Sequence, residues 1–366
     1  MAAVYVFALP TTGAASFAGA LGTGQAAQLV ADADAARARV RDTLKRARRG
    51  AADSAAAVNA LEEYLPYAAA VRDGVACGRL GAGDIVTAWR PAIVPASAVG
   101  PIKVRVTLAD EPAVASIAYA LALAARAEDT LAGGAAGRFQ AASGLLLQAQ
   151  AVLAGVAAAG GSTPDVQPAN VAPLIAMLAG SVHLVVIYRA LAEPGTTPPG
   201  LLARGAIYAA ERFGAAATQL PRALAGDAVV RWLEDARALA SAYAARFLAV
   251  AAEAKGDVGR AIALCAAARA DARSSSVPRR DTSALRERRR ALQRELDELE
   301  RTYRAHNDRI AFQPVPDARD AAANWPSGRE LVPARAPWTP TPAVTFGDAA
   351  APAAAGRDYS GRGQYY

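Results

Sequence analysis

Few side chains in this sequence are of the types that do catalytic or metal chemistry, because it contains two histidines and two cysteines. His183 lies in the most apolar predicted helix, which favours a hydrogen-bonded core histidine over a metal ligand. His306 lies at a predicted helix end, where a basic side chain suits the last carbonyls. Cys77 and Cys265 are far apart and lack metal-ligand spacing, so we expect buried free thiols. The sequence therefore predicts no metal and no cofactor.

Short catalytic motifs are absent from the sequence. It lacks the GxxxxGK phosphate loop, the HExxH and CxxC metal patterns and the GxSxG nucleophile elbow. We therefore expect a binding protein and not an enzyme. A deep pocket of titratable groups around His183 would be needed to favour catalysis.

One charged segment, residues 279–304, could contact a partner. Its arginines and carboxylates recur at i, i+3 and i+4 spacing, as in an ion-paired helix surface. Its apolar residues fall on one helical stripe: Leu285, Leu292, Leu296, Leu299 and Tyr303. This stripe is either core or part of a groove for a partner helix. Basic residues also suit an anionic membrane surface, but aromatic residues are not interleaved with the arginines, so we do not expect nucleic acid as a partner.

The composition predicts a mainly all-α fold. The chain has 366 residues and a formal charge of +7, and it is 53% hydrophobic but only 6% aromatic. Alanine accounts for most of the difference, and alanine is the best helix former. One helix is predicted to begin after a cap at Asp53. Periodicity and Gly/Pro breaks predict the other helices at residues 26–49, 111–131, 135–159, 168–191, 200–219, 221–254, 256–273 and 281–306.

Three short segments are predicted to be strands, at residues 4–7, 85–89 and 102–108. The segment 102–106 alternates apolar and basic residues, as in a half-buried strand. The apolar N-terminus lacks the basic region of a signal peptide. The apolar run 171–191 is long enough to span a membrane, but Pro173 and Arg189 fall within it. We therefore predict a buried central helix.

The last sixty residues differ from the helical part, because they are rich in proline and contain the isolated Trp325 and Trp338. We predict an extended strap that packs back on the helices. The end of the chain is rich in small residues, glycine and tyrosine, and is expected to be disordered. This divides the chain into a domain at residues 1–346 and a tail at residues 347–366.

Several segments, taken in order, resemble one family. Residues 139–144 read F-Q-A-A-S-G, and residues 165–168 read D-V-Q-P before L-I-A-M-L-A at 174–179. Residues 254–264 read A-K-G-D-V-G-R-A-I-A-L, and N-D-R-I precedes V-P within 307–316. These segments are similar in order and spacing to motifs of the BRO-one domain family, found in Alix and related endosomal proteins. The resemblance extends over nearly the whole chain.

The resemblance implies a boomerang-shaped helical array with a tetratricopeptide-like core and a small N-terminal β element. It also implies a non-catalytic scaffold that is cytoplasmic and peripheral to endosomes. Family members bind the C-terminal amphipathic helix of an ESCRT-III subunit of the Snf-seven/CHMP-four type in a hydrophobic groove. By position, that groove would use residues on two helices: Leu174, Ile175, Leu178, Leu292, Leu296 and Leu299.

One alternative is a generic tetratricopeptide-like adaptor for a different peptide. It would share the helical array but would lack the boomerang and the C-terminal strap. Regular pairs of helices with a 34-residue period would favour it.

Overall fold

Long helices that pack on their chain neighbours dominate the computed structural model. It describes residues 3–19, 21, 26–81, 85–91, 103–195, 197–220, 227–273 and 284–346. The helices are α1 (Ala27–Arg48), α2 (Ser54–Ala76), α3 (Glu111–Ala132), α4 (Arg138–Ala159), α5 (Pro168–Ala192), α6 (Pro199–Gln219), α7 (Asp227–Glu253), α8 (Val258–Arg273), α9 (Ala284–His306) and α10 (Ala318–Ala323). Each helix from α1 to α8 packs extensively against the next helix in the chain, including α2 against α3, which two strands separate in sequence. The short α10 packs on α8.

The observed helix ends agree with the predicted breaks. The Asp53 side chain accepts a hydrogen bond from the Ala56 N–H at 2.7 Å, which confirms it as the cap of α2. Gly160 ends α4 with a positive φ of 65°, where a residue with a side chain would be strained. A two-helix unit from Glu111 to Gln167 is much longer than the 34 residues of a tetratricopeptide repeat. The array therefore lacks the regular period that the alternative hypothesis requires.

A three-stranded antiparallel sheet contains β1 (Thr11–Thr12), β2 (Val86–Arg90) and β3 (Val104–Thr107). The second and third strands confirm two predicted strands, although Ile102 lies outside the described residues. The predicted strand at residues 4–7 is wrong. That segment pairs with no strand, although its Val4 and Phe7 are buried, because a run of apolar residues packs into the core whether or not it pairs in a sheet.

A buried ion pair joins the sheet to the helices. Arg37 on α1 donates from Nε to Glu111 Oε1 at 2.9 Å, and both side chains are buried. The Tyr64 hydroxyl donates to the same oxygen at 2.9 Å. The Trp89 indole N–H donates to Glu111 Oε2 at 2.7 Å, and the Thr87 hydroxyl also donates to that oxygen. The carboxylate at the start of α3 therefore holds α1, α2 and β2 together.

The two most apolar helices, α4 and α5, are long enough to cross a membrane by length and composition. The core helix of a soluble protein has the same properties. In this structure α5 lies between α4 and α6, and 78% of its most apolar window is buried. The prediction of a buried central helix is confirmed.

The predicted strap is confirmed as a segment that crosses the helices in reverse chain order. We call residues 313–346 the C-terminal strap. Its backbone N–H groups at Arg329, Trp338 and Ala343 donate to helix carbonyls at 2.9–3.0 Å. The acceptors lie on α6, α4 and α2 respectively: Arg204, Ala151 and Pro66. The predicted tail, residues 347–366, lies outside the described residues.

Glycines lie in the helices where the strap crosses them. A Cβ on Gly155 of α4 would lie 1.9 Å from the Trp338 carbonyl oxygen. One on Gly205 of α6 would lie 2.3 Å from Leu331 Cδ1, and one on Gly74 of α2 would lie 2.7 Å from the Phe346 ring. The same holds for Gly259 of α8, at 2.3 Å from the Pro314 carbonyl oxygen. The strap therefore touches helix backbone where a side chain would exclude it.

Two alanine substitutions on the same helix should have opposite effects on stability. Gly144→Ala should stabilise the protein by about 0.5–1 kcal/mol, because nothing lies within 4 Å of the new methyl group and alanine favours helix. Gly155→Ala should destabilise it by about 1–3 kcal/mol, because the strap backbone occupies that space. Urea unfolding measures both. Equal effects at the two sites would mean that the strap does not contact α4.

Candidate partner-binding groove

The six leucine and isoleucine residues predicted to form a groove lie on α5 and α9, as expected. Most of them belong to the core: Leu174, Leu178, Leu292 and Leu296 are buried, with at most 2% of each residue exposed. Ile175 and Leu299 are half-buried and retain exposed surface. Two of the six residues can therefore touch a partner, while the other four support the helices from below.

The two predicted halves of the groove are not assembled as one surface. Helix α5 packs mainly on α4 and α6, whereas α9 packs mainly on α8 and α7. The two helices meet where the Arg288 guanidinium lies 4.6 Å from the centre of the Tyr188 ring. The apolar stripe of α9 is thus directed mainly into the core of the array.

An open groove lined by both apolar and polar residues lies between the end of α5 and the start of α6. Its cavity has a volume of about 490 Å³. The apolar part of its lining includes Val186, Ala190 and Leu202. Arg189 and Glu193 form its charged rim, with the guanidinium Nε 3.1 Å from the carboxylate Oε2. Apolar pockets with a charged rim suit the anchors of an amphipathic helix.

The groove continues an apolar stripe along α5. Ile175, Val186 and Ala190 lie on one face of the helix, because their separations are close to whole numbers of turns, and all three are half-buried. His183 lies on the same face between them, where the Leu331 N–H of the strap donates to its Nε2 at 2.9 Å. The strap therefore divides this stripe, and Ile175 lies on the opposite side of the crossing from Val186.

His183 is a satisfied core histidine, as predicted. It is 1% exposed, and its Nδ1 lies 2.8 Å from the Ala179 carbonyl oxygen. With Nε2 accepting from Leu331, the proton must be on Nδ1, so the ring is neutral. Burial lowers the pKa of His183, against the opposite effects of the Ala179 hydrogen bond and the Glu330 charge. The His183 ring therefore links the strap to α5 through its hydrogen bond with Leu331.

The two cysteines and His306, the other residues that could do chemistry, do not form a site with each other. Cys265 is a buried free thiol whose pKa is raised to about 12, chiefly by burial and then by Glu300. Cys77 is also free but exposed, so the prediction that it is buried is wrong. His306 Nδ1 faces Glu253 Oε1 at 4.0 Å, and the chain continues from it into a π-helical turn at Asn307–Ala311. Within the described ranges, no group of three or more His, Cys, Asp or Glu could hold a metal ion.

Sequence reasoning missed Val186, Ala190 and Leu202 as groove residues. Val186 and Ala190 lie in the same apolar run as the buried residues of α5, and Leu202 lies in the first turn of α6. The sequence pattern does not distinguish them from their buried neighbours. The signal in the sequence that could have identified them is the break Glu193-Pro194-Gly195. This break leaves the end of the strongly apolar α5 and the start of α6 uncovered by each other.

Comparison with solved structures identifies the fold, although no family model matches the chain. The structure described as "ALIX BRO1 CHMP4C complex" has a TM-score of 0.71 and 16% identity, covering 92% of this chain and 96% of that chain. The structure described as "Structure basis for endosomal targeting by the Bro1 domain" has a TM-score of 0.67 and 14% identity, covering 91% and 92%. ALIX in complex with a SIVmac239 late-domain peptide has a TM-score of 0.71, and 49% of that longer chain is covered.

The chain therefore has the fold of the Bro1 domain, a helical boomerang, which confirms the fold expected from the BRO-one resemblance. Among curated proteins it is similar to the pH-response regulator protein palC of Yarrowia lipolytica (strain CLIB 122 / E 150). The two are 26% identical over 447 residues, and the match covers 100% of both chains.

Acidification should weaken the contact between the strap and α5. Because the pKa of His183 is lower in the folded chain than in the unfolded chain, its neutral form stabilises the fold above the unfolded value of about 6.5. This stability is lost as the pH falls from that value towards the folded pKa. Urea unfolding of wild type and His183→Gln at pH 7.5 and 5.5 measures the effect. The wild type should lose more stability than the variant on acidification, and equal losses would contradict the role of His183.

Proposed function

We propose that the chain is a non-catalytic scaffold of endosomal sorting, cytoplasmic and peripheral to endosomes. Its partner would be the C-terminal amphipathic helix of an ESCRT-III subunit of the Snf-seven/CHMP-four type. The fold supports this proposal, because a structural neighbour of this chain is described as a complex with CHMP4C and another concerns endosomal targeting. The observation that carries it is the open groove between α5 and α6, which combines apolar residues with a charged rim.

The size and chemistry of the groove suit one or two leucine-sized anchors. Two such side chains buried on Val186, Ala190 and Leu202 would contribute about 3–6 kcal/mol. This is less than the roughly 8 kcal/mol of a micromolar complex, so contacts along the helix must contribute too. The exposed Arg189–Glu193 pair would set the direction of the bound helix.

The six residues predicted from the resemblance keep a role in this proposal. Ile175 extends the apolar stripe on the other side of the strap and offers a further contact. Leu174 and Leu178 hold α5 from the core side, whereas Leu292, Leu296 and Leu299 belong to α9. Aspartate at Leu178 or Leu296 would place a carboxylate in the core and unfold the chain. Such variants cannot test binding.

A second role is favoured by one observation. Similarity to palC extends over the full length of both chains, and that relative is a pH-response regulator. We propose that the scaffold serves the response to ambient pH, with recruitment of the ESCRT-III helix as its molecular step. Loss of the growth response to a change of pH in a deletion strain, with restoration by wild type but not by a groove variant, would support this link. Restoration by both would separate the pH response from the groove.

Substitutions in the floor of the groove should weaken binding without unfolding the chain. Val186→Asp should weaken binding of the ESCRT-III helix at least tenfold, because a charge would replace an apolar contact. Ala190→Arg should do the same by filling the groove. Isothermal titration with the helix peptide measures both, and thermal unfolding checks the fold.

The control is Ile310→Asp, which introduces the same charge at an apolar residue that is 70% exposed on the π-helical turn. It should bind the helix as wild type does. Wild-type affinity in Val186→Asp, with the fold retained, would show that the groove is not the binding site.

A further inference from the structure

The outer face of the small sheet carries basic side chains. In β2, Thr87 and Trp89 are buried, so Val86, Ala88 and Arg90 point to the opposite face. The register pairs Ala88 with Arg105 and Trp89 with Val104. It therefore brings Lys103, which precedes Val104, beside Arg90. Three positive charges thus lie on neighbouring positions of one face.

These basic residues have no acidic partners in the part of the chain that the structure describes. Arg90, Lys103 and Arg105 form no ion pair there, and the buried Nε of Arg90 has no hydrogen-bond partner. Some arginines elsewhere do form ion pairs, as in Arg39–Glu63, Arg72–Asp73 and Arg269–Asp297. What sets the sheet face apart is that its unpaired positive charges lie on neighbouring positions.

A further positive charge lies beside the sheet. Arg48, near the end of α1, donates to the Leu9 carbonyl oxygen at 3.4 Å. Burial lowers the pKa of Arg48, and the nearby charge of Arg90 lowers it further. Asp53 and Asp129 line the same cavity as Arg48, but Asp53 caps α2 and Asp129 accepts from the Ser54 hydroxyl. Neither forms an ion pair with Arg48.

Like charges on adjacent strands destabilise a sheet, and a negatively charged partner would remove that cost. The sheet face lacks aromatic side chains, because the Trp89 ring points inwards and is 1% exposed. This face therefore has no aromatic ring on which a nucleic-acid base could stack. Val86 shares the basic face and is 38% exposed. Dispersed charge with an exposed aliphatic side chain suits the headgroup region of a bilayer.

We propose that the outer face of this sheet, formed by Arg90, Lys103 and Arg105 with Arg48 at its side, docks the protein on an anionic lipid bilayer. The surface is separate from the α5–α6 groove and shares no residue with it. It deepens the proposed endosomal function by naming the residues that contact the membrane. Its test needs no ESCRT-III helix, so the two proposals can fail independently.

The test is flotation of the full chain with vesicles of phosphatidylcholine alone or with about one-third phosphatidylserine. Wild type should float with the anionic vesicles and remain unbound with the neutral ones. Lys103→Gln/Arg105→Gln should bind about 25-fold more weakly, at about fivefold for each charge removed. Both residues are exposed, so thermal unfolding should be unchanged.

The matched control is Arg309→Gln/Arg335→Gln, which removes the same charge from exposed residues outside the sheet. It should float as wild type does. Equal weakening in the two double variants would show that net charge, and not the sheet face, drives binding, and the proposal would be wrong. Failure of wild type to float with phosphatidylserine, or sheet-dependent binding of duplex DNA in its place, would also overturn it.

Discussion

The rest of the structure depends on how closely the strap can approach the helices. An alanine-rich array has small side chains at its crossings and presents a long surface in need of cover. The strap covers that surface by laying its backbone on helix positions that lack a side chain, at Gly74, Gly155, Gly205 and Gly259. Glycine inside a helix costs roughly 0.5–1 kcal/mol relative to alanine. The strap contacts offset that cost, and they also decide which helix faces remain open to a partner.

The helices could be predicted from the sequence, whereas the pairing of extended segments could not. Helical periodicity and breaks at glycine and proline are local, so the bounds of α3 to α6 differ from the expected ones by a few residues. Strand pairing is long-range: residues 4–7 have the apolar and aromatic side chains typical of a strand but find no partner, and pairing begins at Thr11 with Arg90. The strap was predictable from its prolines and tryptophans, but its path was not. The helical glycines beneath it were the local signal for that path.

The binding groove shows the same limit. Periodicity marks Leu174, Ile175 and Leu178 as apolar but cannot tell which of them is covered, because the cover comes from α4, α6 and the strap. The strap segment that crosses α5 at His183 is 148 residues away in sequence. A resemblance to a family transfers the correct helix more reliably than the correct side chain. Four of the six residues carried over by position are core, and Val186 on the same helix is open.

Charged side chains in this protein stabilise the fold by different amounts, depending on whether they are buried and on which groups they bond to. The fold tolerates the buried Glu111 because one arginine and three neutral donors satisfy its two oxygens, and a half-satisfied carboxylate there would cost several kcal/mol. Exposed arginines such as Arg39 and Arg72 pair with nearby carboxylates and contribute little to stability. Strand register brings Arg90 and Arg105 onto one face of the sheet, and neither forms an ion pair with a carboxylate in the described residues. Repulsion between these like charges costs stability in the isolated chain, and contact with the negatively charged surface that we propose would remove that cost.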